Sequence, residues 1–134
     1  MTSPQTTAGG LTRVVRALRF SMKGLRAAWH DEAAFRQEVV VFAALGALTS
    51  ALPLEACAKA LLFTQMGGVL LAELLNSGLE AIVDKASPEQ HPLAGKAKDC
   101  ASAAVLVACM MLSGTWLYLA GPATWHLLTT LVTS

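Results

Sequence analysis

A chain of 134 residues allows one domain, but its makeup does not suit a soluble one: 54% of its residues are hydrophobic and only 14% are charged, where soluble domains average about 25% charged. Mean hydropathy is +0.53, and lipid is the simplest solvent that tolerates so few charges. The formal net charge is +1, so no nucleic-acid partner is expected. The three cysteines, Cys57, Cys100 and Cys109, form no CxxC pair and lie in or beside apolar runs, which marks them as small buried hydrophobes rather than a disulfide or metal framework.

Residues 1–10 are polar and read as a disordered tail. They are not a signal peptide, because the apolar segment that follows is studded with arginines, and the N-terminus is expected to be kept. The stretch 11–30 has helical periodicity. At ~100° per residue, Leu11, Val14, Val15, Leu18, Met22, Leu25 and Trp29 fall within about 100° of arc, and Arg13, Arg16, Arg19, Lys23 and Arg26 lie opposite. An apolar stripe backed by a basic face predicts a helix lying flat in a membrane interface. The competing reading is a soluble amphipathic helix packed on a partner.

Three apolar segments follow, and each predicts a membrane helix. The first covers Val39–Leu54, with a helix expected over about 37–54, flanked by Arg36, Glu38 and Glu55 and closed by Pro53. The second runs from Ala56 to Ala72, interrupted by Lys59, and its helical pattern continues to Asp84, predicting a helix over 56–86 that Ser87 and Pro88 end. The third runs from Ala101 to Gly121, predicting a helix over 100–121, with Trp116 and Tyr118 suited to a membrane edge. The remaining tail, with Trp125 and His126, has no acidic or basic residue. The expectation is a single all-α membrane domain with an interfacial helix and three transmembrane helices.

Nine of the ten Lys and Arg residues lie before the first span or between the second and third, and only Lys59 lies elsewhere. The positive-inside rule then places the N-terminus and the 84–100 connection in the cytoplasm and the C-terminus outside.

The acids of the second helix carry the chemistry. Glu73, Asn76, Glu80 and Asp84 fall within about 80° of one helix face. With entry near Cys57, Glu73 lies about 24 Å along the helix, near the cytoplasmic edge of a ~30 Å apolar core. Carboxylates at that depth are expensive and are functional candidates by default. Two on one face can hold a hard cation such as Mg²⁺, a third can accept a proton, and Glu32 supplies another oxygen at similar depth. The competing reading makes the acids ion-pair partners of the basic helix or loop. Familiar nucleotide motifs are absent: the chain has no GxxxxGK[ST], no GxGxxG and no HRD or DFG set. Gly67–Gly68 reads as a helix-packing site.

The stretches SMKGLRAAWHDEAAFRQE (Ser21–Glu38), AELLNSGLEAIVDK (Ala72–Lys85) and AGKAKDCASAAVL (Ala94–Leu106) resemble, in order and separation, the small prokaryotic diacylglycerol kinases. The resemblance covers about residues 11–120 and implies a homotrimeric bacterial inner-membrane enzyme with active sites shared between subunits at the cytoplasmic surface, phosphorylating diacylglycerol with ATP and Mg²⁺. It makes Glu73 the catalytic carboxylate, Glu32 and Glu80 the ligands of the ATP-bound Mg²⁺, and Asn76 part of the motif ExLNxxxE. ATP contacts are implied for Arg13, Phe20, Glu32, Glu80, Lys98, Asp99 and the loop residues Glu89, Gln90 and His91. Lipid contacts are implied along the surface helix at Arg13, Ala17, Leu18, Arg19, Phe20, Ser21, Met22, Arg26, Ala27, Ala28 and Trp29. They continue through Ala34, Phe35, Arg36, Gln37 and Glu38, then Lys59, Glu73, Ser102 and Trp116. Phe20, Met22 and Ala51 depart from the residues common in the family, which touches the lipid pocket more than the catalytic set. An undecaprenol kinase is the nearest rival, and a non-catalytic ion-binding membrane subunit is the rival from another class.

Thiol labelling of single cysteines placed at each end, in intact cells, is expected to find the N-terminus shielded and the C-terminus reached from outside. A C-terminus labelled only after permeabilisation would sink the three-span arrangement.

Overall fold

The computed structural model describes residues 10–87 and 91–133. Five helices account for nearly all of them: α1 Gly10–Asp31, α2 Ala33–Ala51, α3 Ala56–Ala86, α4 Pro92–Leu119 and α5 Gly121–Thr133. No strand occurs among the described residues.

Local chemistry sets the breaks. Between α1 and α2 stands a single extended residue, Glu32, with φ −104° and ψ 112°. The exposed last turn of α1 is closed by Arg36, whose Nη1 donates to the carbonyls of Trp29 and His30, both at 2.9 Å. Those carbonyls are among the acceptors a helix end leaves open. Pro53 forces Leu52 out of the helical region, to φ −69° and ψ 146°, and so ends α2. Lys59 then reaches back from α3 to the Ser50 carbonyl at 2.8 Å. The start of α4 has Pro92 in its first turn and His91 as cap, the Leu93 amide donating to His91 Nδ1 at 3.2 Å.

The bounds differ from the periodicity reading in three places. The first apolar helix spans 33–51 rather than 37–54, because Pro53 acts one residue ahead of itself. The third spans 92–119 rather than 100–121, because its polar first two turns are helical and lie along the end of α3. The uncharged tail forms α5. The expected tail at 1–10 lies almost wholly outside the described residues.

The core is the α3–α4 pair with α2 packed on α3. Leu62, Met66 and Val69 of α3 meet Leu112 of α4, with Leu52 and Ala120 closing the far end. Gln65 Nε2 donates to Thr115 Oγ1 across the pair at 3.1 Å. Between α2 and α3, Gly46 lies where a Cβ would stand 3.0 Å from Cε1 of Phe63. Small residues at such crossings let helices approach closely, which matters where dispersion rather than water exclusion drives association.

Outside this core the helices are apolar and uncovered. Leu71 is 59% exposed, Leu106 60% and Met110 65%. The hydroxyls of Thr64, Ser77 and Thr124 donate to carbonyls four residues back in their own helices, leaving few donors that need water. Helices α3 and α4 are long and apolar enough to cross a membrane. At 31 residues, α3 is about 46 Å long and exceeds a ~30 Å apolar core, so one end must protrude.

The Gly46 contact is testable. Gly46→Leu is expected to lower stability in detergent by about 1–3 kcal/mol through overpacking, and Phe63→Ala in the same chain should recover much of the loss. Additive losses in thermal unfolding would show that the two residues do not bear on each other.

Candidate functional site

The acidic stripe occupies the end of α3 remote from Lys59, and two other helices converge on it. Glu73 is buried, 6% exposed. It lies within electrostatic reach of Glu32 at the α1–α2 joint and of Glu80 two turns further along α3. Half-buried Glu38 of α2 faces it as well, and Oε2 of Glu38 is sealed from solvent without a hydrogen-bond partner. Glu32, Glu38 and Glu80 thus all lie within electrostatic reach of Glu73. Neither Glu32, Glu73 nor Glu80 is in an ion pair with a described residue. The alternative in which the basic helix or loop neutralises them holds only for Asp84, which pairs with Lys98 at 3.0 Å.

The remaining polar groups organise this cluster. Asn76 Nδ2 approaches Glu80 Oε1 at 3.5 Å, a long contact that orients more than it binds. Its Oδ1 is buried without a partner, an unmet acceptor of the kind that a bound group or water would satisfy. The Lys98–Asp84 pair ties the first turns of α4 to the last turns of α3, and it brings Lys98 within electrostatic reach of Glu80. Asp99 beside it is exposed.

Between α1 and α3 runs a groove of about 580 Å³. Its walls are mostly small residues, among them Gly24, Ala27, Ala28, Ser77, Gly78 and Ala81, and Glu32 stands in the wall. Three residues expected to meet lipid, Ser21, Ala27 and Ala28, line it. A second groove of about 380 Å³ lies between α2 and α4. Phe42, Leu45, Cys109, Leu112 and Trp116 line it, and Trp116 Nε1 is buried there without a partner.

The other expected site residues fall in distinct places. On α1, Arg13, Ala17, Leu18, Arg19, Phe20, Met22, Arg26 and Trp29 are exposed, and Arg13 is engaged in a polar interaction. Along a straight helix Arg13 is about 28 Å from Glu32, so one chain does not bring both to one phosphate. Phe35 is buried, Ala34 and Gln37 are exposed, and Arg36 is occupied in closing α1. His91 serves as the cap of α4. Glu89 and Gln90 lie outside the described residues. Lys59 is some 21 Å along α3 from Glu73, bonded to α2, and Ser102 is exposed on α4. The facing of Glu38 onto Glu73 and the Arg36 closure went unread, because both depend on how α2 meets its neighbours and no local spacing reports that.

Among the described residues, no three His, Cys, Asp or Glu side chains converge to make a closed metal cage. Mg²⁺ does not need one: it keeps waters and takes one or two carboxylates together with phosphate oxygens. A cluster of acids without a counter-ion, beside an unmet Asn76 oxygen, fits a hydrated cation held by Glu32 and Glu80.

Comparison with known proteins shows the family. Residues 19–120 match the family model described as prokaryotic diacylglycerol kinase. The chain is 45% identical over 107 residues to a diacylglycerol kinase of Escherichia coli K12, covering 80% of this chain and 88% of that one. It is 40% identical over 114 residues to a diacylglycerol kinase of Pseudomonas aeruginosa, covering 85% and 93%. A diacylglycerol kinase of Helicobacter pylori 26695 is 39% identical over 109 residues, covering 81% and 85%. On these matches, the chain belongs to the prokaryotic diacylglycerol kinase family.

Proposed function

We propose that this chain is a lipid kinase that transfers the γ-phosphoryl group of ATP to the primary hydroxyl of diacylglycerol, giving phosphatidic acid and ADP, at the cytoplasmic face of the bacterial inner membrane. The observation that carries the reading is Glu73: a buried carboxylate among other acids, with no cation to neutralise it, where α3 leaves its apolar stretch. Structural acids are paired. An acid held unpaired at membrane depth calls for a chemical role.

Phosphoryl transfer asks for positioning and charge neutralisation more than for covalent chemistry. Glu73 accepts the proton of the lipid hydroxyl as its oxygen bonds to the γ-phosphorus, while the bond to the bridging oxygen of ADP breaks. Asn76 orients Glu80. Glu32 and Glu80 would hold Mg²⁺, which when bound supplies positive charge to the phosphate oxygens. Lys98, steadied by Asp84, adds positive charge on the nucleotide side, with Asp99 and the loop at Glu89, Gln90 and His91 beside it.

The groove between α1 and α3 suits the glycerol end of the lipid, because its small walls leave room beside Glu32. The apolar groove that Trp116 lines suits an acyl chain and points toward the depth of Lys59. Seated this way, the hydroxyl stays at headgroup level while ATP approaches from water. The three apolar runs support α2, α3 and α4 as spans, and the cation distribution supports α1 lying on the cytoplasmic surface. Assembly as a homotrimer is carried over from the family resemblance alone; the separation of Arg13 from Glu32 suits a site that α1 of another copy completes.

Labelled ATP offered to the purified protein with diacylglycerol or undecaprenol tests the substrate: phosphate is expected on diacylglycerol, and exclusive labelling of undecaprenol would overturn the assignment. Glu73→Gln is expected to cut turnover per folded trimer by about 10²–10⁴-fold, the usual share of a general base, with ATP affinity and oligomer intact. An ion-pair role would instead show as lost thermal stability and a dispersed oligomer at near-normal turnover per folded trimer. Glu80→Gln should leave a protein that needs much more Mg²⁺ for half-maximal rate and turns over slowly even then, since an amide is a poorer ligand. A wild-type Mg²⁺ titration would remove Glu80 from the metal.

A further inference from the structure

One residue, Ala120, separates helix α5 from α4; α5 lies beyond residue 120, where the family match stops, and nothing in the reaction uses it. Its sequence is amphipathic without charge. At ~100° per residue, His126, Thr129, Thr130 and Thr133 fall within about 100° of arc, and Ala123, Trp125, Leu127, Leu128 and Val132 fill about 200° on the other side, interrupted by Thr124, whose hydroxyl donates to the Ala120 carbonyl. Ala123 packs on the core. The rest of that face is bare: Trp125 is 71% exposed, Leu128 52% and Val132 85%.

We propose that α5 is a second membrane-surface helix, lying in the lipid interface beside the end of α4 with its apolar face inward and its His126–Thr133 face toward water. Three observations name lipid as the occupant. First, the bare face continues an apolar surface that already needs lipid, since Leu117 and Tyr118 in the last turn of α4 are 66% and 81% exposed. Second, no Asp, Glu, Lys or Arg occurs after Asp99, so the helix has nothing to offer a charged protein surface, whereas an interface of neutral headgroups asks for no charge. Third, the hydroxyls of Thr129, Thr130 and Thr133 donate to carbonyls within the helix, so the polar face can sit at headgroup level with few unmet donors. Pro122 lacks the N–H that would continue the ladder, which lets α5 leave the axis of α4 and turn into the membrane plane. Trp125 then stands at the depth where indoles concentrate. The apolar arc is wide, as expected of a helix held by hydrophobic burial alone, while α1 adds a basic face that attracts anionic headgroups.

The proposal rests on α4 spanning the membrane, and the test separates the two. The full-length chain, with Cys57, Cys100 and Cys109 replaced by Ala, is reconstituted in phosphatidylcholine vesicles with one nitroxide-labelled cysteine at Met110, Leu128, Thr130, Val132 or Thr133. Monodisperse elution and helical circular dichroism matching the unsubstituted chain identify the folded variants, and cysteines at Leu127 and Thr129 substitute for any position that fails. Collision with oxygen and with a water-soluble nickel chelate is then measured. Leu128 and Val132 are expected to favour oxygen severalfold, as Met110 does, while Thr130 and Thr133 favour nickel, and salt should leave the ratios unchanged. Nickel access at Leu128 and Val132 with Met110 protected would overturn the proposal and leave the span intact. Protection of Leu128 and Val132 from both reagents would mean that a second copy covers the face, which also overturns it. Nickel access at Met110 would bring down the spanning reading and the proposal with it.

Discussion

The repulsion among the acids at one end of α3 is the constraint to which the rest of the structure answers. Glu73 is buried with Glu32, Glu38 and Glu80 close by, and unpaired buried charges cost several kcal/mol each by general measure. A chain selected only for stability would have placed an arginine there, and five cations stand on α1 within the same polypeptide. They face away. The nearest lysine, Lys98, is held by Asp84, and Arg36 is turned onto the carbonyls of α1. Among the described residues the fold keeps its own cations out of ion pairs with Glu32, Glu73 and Glu80, as the proposed binding of a cation with substrate would need.

That reserve needs a stiff frame, which comes from the ordinary rules of helices in lipid. Hydroxyls turn back onto their own backbones, one glycine lets α2 approach α3, and one Gln–Thr bond registers α3 on α4. With so few polar contacts, the position of Glu73 depends on dispersion among Leu62, Met66, Val69 and Leu112. Helix α3 therefore acts as a ruler whose apolar length sets the depth of the acids.

Much of this is legible in the residues. The stripe on α3 and the basic face of α1 follow from spacing alone, and the three apolar runs announce their helices. The misplaced start of α4 has a physical cause: Lys96, Lys98 and Asp99 look like loop residues, and only the pairing of Lys98 with Asp84, 14 positions away, accounts for their place along α3. Helix α5 was hidden because its polar face is made of threonines and one histidine, which weigh little in any reading keyed to charge. Of the site, the acids on one helix could be read directly. Glu38 could not, since its approach to Glu73 is set by the crossing of α2 and α3.

The joint at Glu32 has a mechanical consequence. A single extended residue links α1 to α2, so α1 is a lever of about 33 Å with its fulcrum at a proposed metal ligand. A ripple that lifts the far end of α1 by about 3 Å rotates the helix by only some 5°, and at the fulcrum the carboxylate hardly moves. Laid on the membrane surface as proposed, α1 would ride thermal undulations of the bilayer, moving Arg13 by about 2.6 Å while the acids keep their register.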